Sequence, residues 1–96
     1  MELRIEEDEL TCVELDGGGT PIWEYQGKRF TGILIIIEKD GTLGSEQECQ
    51  DGFEEGWYRA YHKNGTLIEE YKIHYNIVVP GTFKTWDEEG NFTGGW

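Results

Sequence analysis

The glycines of this chain fall on a period, and an internal period constrains a short sequence more than any other feature it carries. Gly32 and Gly41 stand nine residues apart, as do Gly56 and Gly65, and again Gly81 and Gly90. The first glycines of successive units are separated by 24 and then 25 residues. Other positions keep their type in the same register. Two residues after the first glycine come Leu34, Tyr58 and Phe83, and five after it come Ile37, Tyr61 and Trp86. The second glycine follows Asp40, Asn64 or Glu89, and two residues beyond it stand Leu43, Leu67 and Phe92. A chain of 96 residues holds one small domain with a thin core, which tandem units supplement by burying each apolar face against the next.

The chemistry of one unit reads as strand, turn, strand. Asp40-Gly41 and Asn64-Gly65 are two-residue hairpin signals, because a type I′ turn needs positive φ at both central residues. Glu89-Gly90 is a weaker version, so its turn is expected to be longer or bulged. The flanking stretches are rich in Ile, Val, Thr, Tyr, Trp and Phe, which fit a pleated surface. A second turn, at Gln26-Gly27, Asp51-Gly52 or Tyr75-Asn76, leads onward, with Asn in place of Gly because it tolerates the left-handed region. The expectation is an all-β fold, one antiparallel meander without helices. Residues 25–49, 50–73 and 74–96 form three repeats, and residues 1–24 supply capping strands around Leu3-Ile5 and Leu10–Leu15. Gly17-Gly18-Gly19 reads as a loose loop.

Strict alternation puts positions two and five after the glycine on opposite faces, yet both are apolar in every unit. Either a bulge re-aims the second half of the strand, or both faces are partly covered. The bulge is the favoured expectation, since so short a chain has little left to cover a second face.

Charge narrows the function. Twenty Asp and Glu against eight Lys and Arg leave a net charge of −12. A surface this acidic repels nucleic acid and anionic lipid, so neither is an expected direct partner. It steers a basic partner inward instead. The acids cluster at Glu6–Glu9, Glu54-Glu55, Glu69-Glu70 and Asp87-Glu88-Glu89. They read either as a solvated rim that discourages edge-to-edge aggregation or as charge presented to a basic protein. Trp57, Tyr61 and Trp86, with Trp96, are the candidate anchors, because aromatics carry interface energy disproportionately. For Tyr58 and Phe83 core packing is preferred. The candidate partner-binding set is therefore Glu54, Glu55, Trp57, Tyr61, Glu69, Glu70, Trp86, Asp87, Glu88 and Glu89.

No catalytic or metal-ligating residue stands out, and no cofactor is expected. His62 and His74 lack a Cys or carboxylate at metal-ligand spacing. Cys12 and Cys49 have no CxxC neighbour and no adjacent base to activate a thiolate, and read as reduced. The triple glycine lacks the lysine and the strand–helix context of a phosphate loop. The first residues show no apolar signal region, and the run Ile33–Ile37 is far too short to span a bilayer, so a cytoplasmic location is expected.

The stretch Tyr25-Gln-Gly-Lys-Arg-Phe-Thr-Gly32, followed by Asp40-Gly41-Thr-Leu43 and Glu46, resembles the MORN-repeat-variant family of YwqK-type antitoxins. So do Gly52-x-x-x-Gly56-Trp57-Tyr58, Tyr61-His-Lys-Asn-Gly65-Thr-Leu67 and Glu70. The third unit keeps Pro80-Gly81, Trp86 and Gly90 but loses the acid after Phe92. The resemblance covers roughly residues 20 to 92. It implies a single curled antiparallel sheet and a role as immunity partner of a bacterial protein toxin, such as a basic nuclease or deaminase domain delivered by another cell. The motif itself describes turns and packing, so the functional part of the likeness is an analogy of fold. The alternative is a non-enzymatic MORN-like interaction scaffold.

Overall fold

The computed structural model describes residues 3–15 and 17–96. Strand β1 (Arg4–Glu6) leads through a single 3-10 turn at Glu7–Glu9 into β2 (Thr11–Leu15), β3 (Pro21–Tyr25) and β4 (Lys28–Arg29). Then come β5 (Gly32–Ile37), β6 (Leu43–Gln50), β7 (Phe53–Tyr61) and β8 (Leu67–His74), followed by the short β9 (Ile77–Val78), β10 (Lys84–Trp86) and β11 (Phe92–Gly95). The protein is all-β, and among the described residues the 3-10 turn is the one departure from the helix-free expectation. No helix is long and apolar enough to cross a membrane, which says nothing of a barrel.

The sheet is mixed where a single antiparallel meander was expected. Its order is β1-β5-β6-β7-β8-β10-β11, with β9 also paired to β8, and β1 runs parallel to β5. Parallel strands need a long crossover, and residues 7–31 supply it by building a second, antiparallel sheet, β2-β3-β4. The chain passes between sheets at Phe30, the most deeply buried side chain (1% exposed). Around it gather Leu10, Leu34 and Cys49, with Ile5, Trp23 and Tyr25 at the margin. This cluster is the main core and seals the small sheet onto one face of the large one.

Two kinds of turn alternate along the chain: Asp40-Gly41 and Asn64-Gly65 do not form the expected type I′ turns, whereas Glu89-Gly90 has the longer, bulged loop expected there. The type I′ geometry, with both central φ values positive, belongs to Gln26-Gly27 (52°, 81°), Asp51-Gly52 (52°, 88°) and Tyr75-Asn76 (45°, 66°). Asp40-Gly41, Asn64-Gly65 and Glu89-Gly90 instead close three-residue loops in which only the glycine is left-handed. The Gly41 N–H donates to the Glu38 carbonyl (2.9 Å) and the Glu38 N–H to the Thr42 carbonyl (2.8 Å). The same pair of bonds recurs at His62, Gly65 and Thr66, and at Asp87, Gly90 and Asn91. Asp40 Oδ1 accepts the Thr42 N–H (3.0 Å) and hydroxyl (2.6 Å), and Asn64 does the same for Thr66. That local bond holds the residue before the glycine in a right-handed conformation, which a type I′ turn does not allow.

Each of these hairpins carries a bulge, between Ile36/Ile37, Ala60/Tyr61 and Thr85/Trp86. The extra residue lies on the returning strand, opposite those pairs, at Gly44, Ile68 and Thr93. The outgoing strand therefore keeps its alternation. Tyr58 stacks on Tyr71 on one face, whereas Tyr61 reaches Glu46 on the other. The expected re-aiming does not occur, and both faces carry apolar side chains, one of them covered by the small sheet only around Leu34.

The turns also knit one unit to the next. Gly52 N–H donates to the Phe30 carbonyl (2.9 Å) and Asp51 N–H to Thr31 Oγ1 (3.0 Å). One unit later Asn76 N–H donates to the Glu54 carbonyl (2.9 Å) and Tyr75 N–H to Glu55 Oε1 (3.1 Å). A Cβ on Gly52 would lie 2.8 Å from Ile22 Cγ2 and from the Trp23 carbonyl, whereas one on Gly65 meets nothing. Both have a left-handed φ, so Gly65→Ala is expected to cost ~1 kcal/mol from backbone strain alone. Gly52→Ala should cost ~1–3 kcal/mol more, because the backbone seam must open. Urea unfolding of the two variants checks this, and equal midpoints would mean that the seam is not tight.

Candidate protein interface

Cross-strand register divides the large sheet into two chemically different faces. One carries a band of alternating sign. Glu46 lies opposite Arg59, Arg59 opposite Glu70, and Glu70 opposite Lys84, while Arg4 reaches Glu46 from β1. Arg59 Nε donates to Glu70 at 3.0 Å, and its guanidinium lies 5.3 Å from the Trp57 ring centre. Burial works against ionisation of Glu46, but hydrogen bonds from Tyr61 and Arg4, with the charges of Arg4 and Arg59, hold its carboxyl below the usual range. Burial, the Glu46 hydrogen bond and the Glu46 charge push the Tyr61 phenol up to about 12. Trp57 donates its backbone N–H to Glu48 Oε1 (2.6 Å). Of the expected interface residues, Trp57, Tyr61 and Glu70 thus come together here, inside a network that satisfies them. Alternation puts Trp86 on the same face at β10, its ring edge-on to Phe92 at 6.0 Å.

The opposite face is aromatic. Leu34, Gln47, Tyr58 and Tyr71 follow one another across β5–β8 as direct partners. Phe83 and Trp96 continue the row, with ring centres 4.8 Å apart at Tyr58–Tyr71, 5.5 Å at Tyr71–Phe83 and 4.4 Å at Phe83–Trp96. All three contacts are stacked, within 28° of parallel. The row begins next to the core cluster and leads away from it to Trp96, which is 70% exposed. Glu54 and Glu69 belong to this face, since they lie opposite Cys49 and Ala60. Burial, then the neighbouring Tyr58, Glu69 and Glu54, push the Tyr71 phenol up to about 12.

The remaining candidates sit at the ends of the strands. Glu55 accepts from His74 Nδ1 (3.1 Å) and the Tyr75 N–H, so it belongs to the seam between units. Asp87 accepts the N–H groups of Glu89 (3.0 Å) and Asn91 (2.9 Å) and closes its own turn. The Glu88 carbonyl takes Asn64 Nδ2 (2.9 Å), joining neighbouring turns, while the side chains of Glu88 and Glu89 are exposed. The ten residues are therefore spread over two faces and two sets of turns. The Tyr58–Trp96 row was missed as a unit, because its members are 12 or 13 residues apart and only the register aligns them.

Groups capable of catalysis are scattered. Cys12 is exposed and Cys49 buried, neither in a disulfide, and burial with the charges of Glu54 and Glu48 pushes Cys49 up to about 12, where it is inert. His62 Nε2 lies 3.2 Å from the Trp86 carbonyl, while His74 pairs with Glu55. An open groove of about 640 Å³ runs between the Asp40 and Asn64 turns, lined with both signs of charge from Glu38, Lys39, Asp40 and Lys63. Glu6, Asp8 and Glu9 bring one oxygen each within 4.8 Å of one another, all three exposed. In comparison with known proteins, the chain matches no family model, no curated protein and no solved structure.

Asp40, Glu46, Glu55 and Asp87 have folded pKa values below their ordinary ones, which fixes the sign of their acid effect. Thr42 bonds lower Asp40, and the Asn91 N–H, ahead of other bonds from Asn91 and Glu89, lowers Asp87. At Glu46 and Glu55 bonds and nearby cations outweigh burial, which opposes ionisation. A depressed folded pKa adds stability above the unfolded value, and that stability is lost as pH falls through the folded one. The unfolding midpoint is expected to decline through the carboxylate range. Asp87→Asn, whose amide oxygen still accepts the turn N–H groups, should make the decline shallower. An unchanged pH profile in that variant would remove Asp87 from the account.

Proposed function

We propose that this chain is an immunity protein or antitoxin that neutralises a basic protein toxin by covering its active-site cleft. The observation that carries the reading is the division of charge. By alternation, Arg4, Arg59, Lys72 and Lys84, the strand Lys and Arg residues of the large sheet, lie on one face interleaved with acids, while its strands place Glu54 and Glu69 on the aromatic face. A net charge of −12 combined with a rigid sheet suits encounter with a positively charged protein. The likeness of the glycine and aromatic spacing to antitoxin repeats points the same way. The scattered thiols and imidazoles and the open grooves favour a binding protein over an enzyme.

Co-purification with the product of the adjacent reading frame, followed by a toxin-inhibition assay, tests the proposal directly. Inhibition at one-to-one stoichiometry is expected. Association should slow as salt rises, and Glu69→Lys should slow it further and flatten the salt dependence, with a smaller change in dissociation. An association rate indifferent both to salt and to Glu69 would sink the electrostatic part. Failure to inhibit any co-encoded toxin leaves the interaction scaffold as the better reading.

A further inference from the structure

The proposed immunity role leaves open which part of a basic partner this chain holds, and the ends of the three hairpins answer it. The hairpins β5-β6, β7-β8 and β10-β11 run side by side, so their loops line up at one end of the large sheet. The second loop is clamped to the third by side-chain donors. Asn64 Nδ2 donates to the Glu88 carbonyl (2.9 Å), Thr66 Oγ1 donates to the same oxygen (3.3 Å), and His62 Nε2 lies 3.2 Å from the Trp86 carbonyl. One unit earlier, Glu38 and Asp40 stand where His62 and Asn64 do, and Tyr61 and Lys63 where Trp86 and Glu88 do. Ionised carboxylates only accept hydrogen bonds, so neither acid can clamp onto a carbonyl. Between the first two loops lies instead the groove of about 640 Å³.

The acceptors of the groove are held in place. Gly44 is not left-handed, yet a Cβ there would overlap the Glu38 carboxylate, so the glycine leaves the space in which that acid sits. Among the described residues the Glu38 carboxylate makes no hydrogen bond or ion pair. Asp40 is fixed from its own loop: Oδ1 accepts the Thr42 N–H and hydroxyl, and Oδ2 lies 3.6 Å from Lys63 Nζ. The Lys63 side chain is 85% exposed, so this pair is weak and open to exchange for a better donor. Along the walls Glu38, Asp40 and Glu88 outnumber Lys39 and Lys63, and Ile68 offers apolar surface for a stem. The fitting occupant has several N–H groups in one plane, a permanent positive charge and an apolar stem. A guanidinium meets all three needs, with five donors in a fork that pairs with carboxylates two bonds at a time, whereas an ammonium is a single point of charge. Resting on the immunity reading, we propose that this groove receives an arginine side chain of the basic partner. The arginine displaces Lys63 and supplies, between the first and second loops, the donors that His62 and Asn64 supply between the second and third.

The test uses the full chain and a defined probe, an acetylated and amidated Gly-Arg-Gly peptide, titrated at low salt and followed by two-dimensional NMR. The expected result is shifts at Glu38, Asp40, Tyr61 and Lys63 that fade as salt is raised, weaker ones with a lysine in place of the arginine, and none with the neutral isostere citrulline. Glu38→Gln should weaken binding by about two- to fivefold, the range of an exposed ion pair, while Glu7→Gln, an exposed acid elsewhere, should leave it unchanged. Lys63→Ala removes the competing cation and should strengthen binding by about twofold. Asp40→Asn is the decisive variant. Its amide oxygen can still accept from Thr42, as Asn64 does from Thr66, and its new N–H groups can close the loops as Asn64 closes the next pair. Binding should fall by at least about fivefold while the unfolding midpoint holds or rises, which separates a closed groove from a damaged fold. Equal binding of the citrulline peptide, shifts centred away from the first two loops, or binding unaltered in both Glu38→Gln and Asp40→Asn would overturn the proposal. The immunity reading is judged separately by the toxin assay. Peptide binding in the groove without toxin inhibition rejects only that reading, and inhibition undiminished by Glu38→Gln and Asp40→Asn rejects only the groove.

Discussion

The seam formed by the left-handed turns organises this structure. At each one, a turn whose central residues both have positive φ presents two backbone N–H groups to the preceding unit. One bonds a carbonyl and the other a side-chain oxygen: Phe30 and Thr31 at the first seam, Glu54 and Glu55 at the second. Left open, those donors would face the next strand corner unsatisfied, which costs more than the bonds themselves return. Docking them fixes the spacing between units and therefore the register of everything between. At the first seam the corner also carries Phe30, and burying its ring draws the small sheet onto the large one. The second seam has no such cover, and beyond it the aromatic face lies open.

That asymmetry explains why one motif serves two purposes. The positions two residues after the first glycine are Leu34, Tyr58 and Phe83, one in each unit. Leu34 is core, sealed by Leu10 and Phe30, whereas Tyr58 and Phe83 pack against neighbouring rings. Without a covering layer, stacking along the row is how these side chains lose contact with water while Trp96 remains largely in it. The opposite face solves its problem differently. Its long side chains pair across strands with alternating sign, which leaves it with little net field. The protein's excess of negative charge is accordingly felt at the turns and on the aromatic face.

Much of this was legible from the spacing of residues, including one feature for an unexpected reason. A two-residue turn at Asp40-Gly41 would place Leu34 opposite Gln47, and the structure does so. Yet the turn is a three-residue loop, and the register comes out the same because the bulge at Gly44 restores it. Asp-Gly and Asn-Gly signal both geometries, since each needs a left-handed glycine, and no local cue says which. The side-chain bond from Asp40 or Asn64 to the residue two positions on decides it. Glu89-Gly90 makes the same loop without that residue, because Asp87 supplies the acceptor from the other end.

The sequence by itself determined the strand class, the number and positions of the turns, the pairing of consecutive strands beyond each bulge, and the acidity. These follow from β-propensity, from glycine's tolerance of positive φ and from counting charges, all local properties. The tertiary structure alone decided that β1 adds in parallel to β5 and that residues 11–29 fold away as their own sheet. It also decided that Glu54 and Glu69 stand beside a stacked aromatic ridge while Trp57, Tyr61 and Glu70 point the other way. Which face a residue occupies depends on register summed over every strand and bulge between it and its neighbours. A single extra residue at Gly44, Ile68 or Thr93 changes that sum, and nothing in the local composition announces it.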